Sequence, residues 1–342
     1  MIAPGPRNSL ADIAGLMVGN AEHHVARTGV TVVLADPPAL VAVDVRGGAP
    51  GTINTAGLAL GGLIREVHGV VLSGGSTFGL EAATGLTAWL AARGRGFSGW
   101  GPVIPLVSGA ILFDLVNGGD KEWGEEPPYR SLARQAAEAA GPDFALGNAG
   151  AGLGAVAGPL KGGLGTASAF DPATGITLAA LAAVNPVGSV TMPGSPTMWA
   201  WHLEQNGELG GQLPPAAATG HVFETKRGIG QATTIGVIAT DAHLDREDLL
   251  RLAVMAQDGY AYAVRPIHSP FDGDTIFALS TRAVPPPVRA DLLVRLGAVA
   301  ADVMARAVMR GVYEARDLGE LRSYQSVWGY LTKAQGGGTP TA

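Results

Sequence analysis

The sequence predicts a layered α/β or α+β fold. Three observations carry that expectation: short apolar runs with little polar alternation, helical stretches mixed among them, and glycines clustered where the runs end. The strand-like runs lie at 30–34, 40–45, 67–73, 110–116, 177–185, 233–240 and 275–281. They are rich in Val, Ile and Ala, as expected of strands covered on both faces. Helices are expected at 78–93, 129–140, 246–264 and 288–316. The third has the clearest start, because Asp245 can cap its first turn while Glu247 and Asp248 oppose the helix dipole. Leu249, Leu250, Leu252, Ala253, Met255 and Ala256 then make one broad apolar face. The segment 192–231 holds Pro193, Pro196, Pro214 and Pro215 and few long apolar runs. With strong strand signals on both sides, it reads as a surface linker inside a single domain spanning 1–333. The tail 334–342 is expected to be disordered.

Composition narrows the function. With 342 residues, 47% of them apolar and only 15% charged, the chain can bury a large core. A formal net charge of −6 leaves no basic surplus for phosphates, so no nucleic-acid partner is expected. The longest apolar stretch, 176–184, is about half of what a bilayer requires, so no membrane role is expected. Zero cysteines exclude disulfides, thiol catalysis and Cys-ligated metal, and fit a cytoplasmic location. Histidines 23, 24, 68, 202, 221, 243 and 268 form no helix-spaced pair with a carboxylate, so no metal is expected.

The stretch Arg227–Asp241 is the most informative. A Gly- and Pro-rich segment ends there, and a strand begins on two adjacent threonines, Thr233 and Thr234. A hydroxyl at that point is where a self-cleaving hydrolase exposes a new N-terminal nucleophile, whose own α-amine serves as base. Threonine is also simply common in strands. Gly150-Ala-Gly152-Leu-Gly154 with Asp171 downstream resembles part of a dinucleotide fingerprint, but Asp171 lies in a turn and Pro159, Gly162 and Gly163 break the stretch between, so no cofactor is expected. Around Ser76 a nucleophile elbow fails, since Phe78 stands where glycine is required, leaving a tight strand-to-helix turn. Asp272-Gly-Asp274 precedes a strand and is either a solvated turn or a carboxylate pair able to hold an amine; His268 lies close to it. Asn185 ends a strand before a proline and is either a turn residue or an amide donor to an oxyanion. Lys161 is a lone base in an apolar setting, either a proton acceptor or a snorkelling surface lysine.

In order, the chain carries Asp12-Ile-Ala-Gly-Leu-Met-Val-Gly19, Val45-Arg-Gly-Gly-Ala-Pro-Gly-Thr52, Leu72-Ser-Gly-Gly-Ser-Thr-Phe-Gly-Leu80 and Ala110-Ile-Leu-Phe-Asp-Leu115. It continues with Lys161-Gly-Gly-Leu-Gly-Thr-Ala-Ser168, Asn185-Pro-Val-Gly188, Thr233-Thr-Ile-Gly-Val-Ile-Ala-Thr-Asp241 and Asp272-Gly-Asp-Thr-Ile-Phe277. Over nearly its whole length it resembles the DmpA-type self-processing peptidases, which include aminopeptidases and 6-aminohexanoate-oligomer hydrolases. That resemblance implies an α+β, four-layer α-β-β-α sandwich of the N-terminal-nucleophile-hydrolase kind. It implies a catalytic domain cut between Ala232 and Thr233 into 1–232 and 233–342, with Thr233 as nucleophile. Asp272 and Asp274 take the place of the family's acidic pair, and Asn185 that of its oxyanion asparagine. Some relatives carry a lysine where this chain has Pro159, and Lys161, two residues on, is the candidate replacement. Ala232 stands where the nylon-oligomer hydrolases carry Asn, and Phe113 where some relatives carry Tyr. The resemblance also implies a peptide or amino-acid-oligomer substrate and a homo-oligomer, a tetramer. Two other readings are an acyltransferase resembling ornithine acetyltransferase and a non-catalytic small-molecule-binding protein of the same fold.

Overall fold

The computed structural model describes residues 1–99, 101–215, 225–226, 232–287 and 291–329. The tail expected at 334–342, positions 288–290 of the last helix, and 216–224 and 227–231 of the expected linker lie outside them.

The chain opens with β1 (Leu16–His23), the 18-residue β2 (Thr28–Val45), β3 (Thr52–Ile53) and β4 (Glu66–Ser73). Helix α1 (Glu81–Ala91), β5 (Val107–Ile111) and α2 (Tyr129–Glu138) follow. A hairpin of β6 (Val156–Ala157) and β7 (Leu160–Lys161) leads into β8 (Gly163–Asp171) and β9 (Ile176–Asn185). Then come β10 (Thr233–Ala242), α3 (Arg246–Ala263), β11 (Thr275–Val284), α4 (Leu292–Tyr313) and α5 (Tyr324–Trp328). Asp245 caps α3 as its sequence requires, accepting from Asp248 N at 2.8 Å.

The runs expected at 30–34 and 40–45 are the two halves of β2. Its first half pairs with β4 from Val30↔Ser73 to Leu34↔Gly69, and its second half with β11 from Leu40↔Ser280 to Val45↔Thr275. The register shifts between Leu34 and Ala39, across Asp36-Pro37-Pro38, where prolines cannot donate to the ladder. One hydrogen-bonded order, β3-β5-β4-β2-β11-β10-β9-β8, with β1 paired to β2, thereby folds over on itself through β2.

Side-chain alternation separates three cores. Val33, Val41, Leu72, Leu181, Ile235, Val237 and Phe277 meet between the two halves of the sheet. Val30, Val32 and Leu34 face α1 and α2 through Leu86 and Leu132. Leu178, Ala180, Ile238 and Ala278 face α3 and α4 through Leu252 and Met304. The result is four layers, α-β-β-α. The described part of the expected linker, 192–215, places Met198, Ala200 and Leu209 in the core under α3 and α4. Its Glu208 accepts from Arg306 Nε of α4 at 2.6 Å.

Strand β8 lies against α4 so closely that a Cβ at Gly165 would stand 2.1 Å from Ala307 O and 2.3 Å from Gly311 N. Gly165→Ala must push the helix off the sheet, since both obstacles are backbone. It is expected to lower stability by about 1–3 kcal/mol, read as a shift in denaturation midpoint at unchanged slope.

Candidate active site

The register of β10 decides which threonine faces what. Ile235, Val237 and Ala239 point between the sheets, and Ile238 and Ala242 point at the helices. By the same period of two, Thr233 opens toward the inter-sheet side and Thr234 toward α3 and α4. There the Thr234 hydroxyl is buried and has no hydrogen-bond partner among the described residues. The Thr233 hydroxyl instead accepts Gly273 N–H at 3.2 Å and donates to the carbonyl of Ala232 in its own preceding peptide bond. The residue is only 3% exposed.

Two loops meet beside that hydroxyl. Asn185, the last residue of β9, is the antiparallel partner of Thr233, which brings the two Cβ atoms to about 5 Å. The Asn185 side chain is held on both ends: Nδ2 donates to Phe113 O at 3.0 Å, and Oδ1 accepts Val156 N–H at 2.9 Å. The Asp272 carboxylate, fully buried, accepts Val187 N–H at 3.1 Å and Ser269 N–H at 2.9 Å, tying the turn after Asn185 to the loop before β11. Asp274, also fully buried, accepts Thr234 N–H at 2.7 Å and contacts His268. Burial pushes its carboxyl above the ordinary range, with His268 pulling it back and Asp272 adding to the rise. A Cβ at Gly273, between the two acids, would stand 2.9 Å from Thr233 Oγ1 and 2.8 Å from Ala49 O. Gly273→Ala is therefore expected to displace the Thr233 hydroxyl and slow any chemistry there by about 10-fold or more, read as single-turnover rate at unchanged fold.

Lys161 comes to the same region through the β6–β7 hairpin, where it pairs with Val156, the residue whose N–H meets Asn185. It is completely buried, and Nζ donates to Gly152 O at 2.8 Å and Gly162 O at 2.7 Å. Desolvation pulls its pKa down to about 7, Lys226 pulling the same way and Asp114 opposing.

Two charged groups went unnoticed in the sequence. Lys226, only partly buried as a residue, donates from Nζ to Asn185 Oδ1 at 2.8 Å and to Asn185 O at 3.2 Å. Desolvation holds its pKa near 7 as well, with Asp272 and Asp114 acting to raise it. Asp114 is fully buried; it accepts Gly75 N–H at 2.8 Å and the Thr28 hydroxyl at 2.6 Å, and burial lifts its pKa to about 6. A lone acid in the apolar run Ile111-Leu-Phe-Asp-Leu115 was a signal that could have marked it. Nothing in the Gly- and Pro-rich surroundings of Lys226 singles it out.

The discarded motifs have structural uses. The turn after β4 delivers Gly75 N–H to Asp114, and Gly150–Gly152 is a single 3-10 turn whose last carbonyl receives Lys161. Asp171 is paired with Arg295. Among the described residues, no group of three or more His, Asp or Glu can hold a metal ion, and no helix is long and apolar enough to cross a membrane.

Comparisons with known proteins give the family and the fold. The model of Peptidase family S58 matches residues 8–324. An uncharacterized aminopeptidase of Mycobacterium tuberculosis is 40% identical over 344 residues, covering 94% of this chain and 98% of the relative. A 6-aminohexanoate-oligomer endohydrolase of Kocuria sp. is 30% identical over 322 residues, covering 87% of this chain and 84% of the relative. Among solved structures, the L-aminopeptidase D-Ala-esterase/amidase of Ochrobactrum anthropi, described as a variant of the Ntn hydrolase fold, superposes with a TM-score of 0.70 at 21% identity, covering 95% and 93% of the two chains. A Burkholderia sp. beta-aminopeptidase gives 0.70 at 20% identity, covering 97% and 94%. The four-layer architecture is thus that of the Ntn-hydrolase-fold aminopeptidases, and with the family model spanning the site from Asn185 to Asp274, the chain belongs to Peptidase family S58, the DmpA type.

Proposed function

We propose that this amide hydrolase works through an N-terminal threonine that it creates by cutting its own Ala232–Thr233 bond. The observation that carries the reading is the Thr233 hydroxyl, poised on the carbonyl of Ala232 and fixed by Gly273 N–H. In processing, Thr233 Oγ1 bonds to the Ala232 carbonyl carbon, the C–N bond breaks, and the hydroxyl proton leaves with the new amine. Water then hydrolyses the ester, freeing the Thr233 hydroxyl and an Ala232 carboxylate and leaving the new Thr233 amine in place. In turnover the amine takes the hydroxyl proton, Oγ1 attacks the substrate amide, the leaving amine departs protonated, and water releases the acyl group. Asn185 and the local backbone amides stabilise the oxyanion, and Asp272 and Asp274 balance the Thr233 ammonium. Lys161, neutral over much of the physiological range, accepts the hydroxyl proton before the amine exists.

The relative at 40% identity is named an aminopeptidase and the one at 30% an oligomer endohydrolase. The proposed substrates are accordingly peptides cut at their N-terminus, with ω-amino-acid oligomers second. The proposed enzyme is a cytoplasmic homo-oligomer, a tetramer on the family resemblance. Aminoacyl amides and 6-aminohexanoate oligomers, offered separately with product analysis, test the assignment. Release of free amino acid supports it. Acyl transfer to an amine acceptor without hydrolysis points to the acyltransferase, and binding without turnover to the non-catalytic protein.

A further inference from the structure

The grip on Asp274 is asymmetric. Oδ1 meets Thr234 N–H at 2.7 Å, while Oδ2 takes two donors from one residue, His268 N–H at 3.1 Å and His268 Nδ1 at 2.8 Å. The carboxylate is fully buried and the imidazole 25% exposed, so the histidine links the buried acid to solvent. His268 has φ of 55°, a backbone conformation that few side chains tolerate and that Asn, Asp and His adopt most readily. In that conformation its backbone N–H and its ring nitrogen reach the same oxygen. With Asp274 ionised, the bond requires the proton on Nδ1. The processing chemistry makes no use of this residue.

We propose that His268 is a positioning residue for the Thr233 centre, holding Asp274 by one oxygen so that the other stays at the start of β10, where the new Thr233 ammonium is seated. This rests on Thr233 being the nucleophile. Among the described residues, three other groups act on the pair. Asp272 acts on Asp274 from the same turn, Lys226 acts on Asp272, and Tyr260 of α3 sets its ring 6.5 Å from the imidazole. The Tyr260 phenol is itself pushed well above its ordinary range by burial and by Asp274, so it stays neutral. His268, and after it Thr234 N–H, favours the ionised acid against burial and Asp272. Its removal therefore raises the pH at which Asp274 loses its charge.

Two variants separate positioning from mere support. His268→Asn keeps tolerance of the positive φ and an amide donor on the same γ carbon, but cannot carry charge. His268→Ala removes the donor. In His268→Ala the acid limb of processing rate and of kcat/KM is expected to move up by about one pH unit, with KM little changed. In His268→Asn the limb moves up by less, and the rate at neutral pH stays within about 3-fold of the parent. A limb in His268→Ala that coincides with the parent's overturns the proposal, whether the rate falls evenly at all pH or not at all. Should His268→Ala fail to fold, a His268→Asn limb superimposed on the parent's overturns it equally. The 13C titration of the Asp274 carboxyl in the Thr233→Ala protein, with and without His268→Asn, reads the same shift without activity. A Thr233→Ala chain that is still cut sinks the nucleophile assignment, a result distinct from anything His268 does.

Discussion

Thr233→Ala is expected to remain one chain of 342 residues and to lose amide hydrolysis by roughly 10⁴-fold or more, whereas Thr234→Ala is cut and active. The two hydroxyls are adjacent in sequence and opposite in space. Thr233 Oγ1 touches the Ala232 carbonyl and Gly273 N–H, while Thr234 Oγ1 is buried on the helix side with no partner among the described residues. Removing an unpartnered buried hydroxyl costs little, because no bond is lost with it. The Thr234 contribution to the site is its backbone N–H on Asp274, which alanine keeps. Thr233→Ser retains the hydroxyl and is expected to process. A gel of the three variants beside the parent reads all of this at once.

Lys161→Met is expected to slow processing and turnover by about 10²- to 10⁴-fold, as loss of a general base does, without unfolding the protein. A neutral lysine amine has two N–H donors, and Lys161 has two carbonyl acceptors, Gly152 O and Gly162 O. Its lone pair is then left for a proton. Since desolvation lowers the pKa from 10.5 to about 7, the working neutral form grows in as pH rises through about 7. The parent's rate should rise over that interval and the variant's residual rate should rise less. Stability runs in the same direction. Between 7 and 10.5 the unfolded chain binds a proton at this lysine that the folded chain does not. The folded state is therefore penalised progressively as pH falls through that window, and fully below it. The penalty is on the order of 4 kcal/mol. Methionine relieves it but strands two carbonyls, at about 1–3 kcal/mol each. The thermal midpoint at pH 7 should thus stay within a few degrees of the parent's, which assigns the lost activity to chemistry rather than unfolding.

Much of the architecture was legible where β-branched residues cluster. The runs at 67–73, 177–185, 233–240 and 275–281 became β4, β9, β10 and β11, each within a few residues of its expected bounds. Strand β8 was missed because Gly163-Leu-Gly-Thr-Ala-Ser-Ala-Phe-Asp171 contains one β-branched residue. Its glycines answer to the backbone of α4, a tertiary cause invisible in local propensity. The expected strand at 110–116 ends at Ile111, because the following residues turn to place Asp114 under Gly75 N–H. The fusion of two short runs into β2 was hidden by Pro37 and Pro38, which break the ladder without ending the strand. At the site, Asn185 pairs with Thr233, Asp274 meets Thr234 N–H, Asp272 ties the neighbouring turns, and Lys161 reaches Asn185 through Val156. Asp114 was marked only by its place as a lone acid in an apolar run, and Lys226 was not legible, since desolvation and not residue type makes it unusual.

The most direct test is the intact mass of the purified protein under denaturing conditions. Two polypeptides are predicted, one ending at Ala232 and one beginning at Thr233, of 232 and 110 residues, together heavier than the intact chain by one water. A single 34.6 kDa chain, or a second fragment that begins at Thr234, contradicts the account.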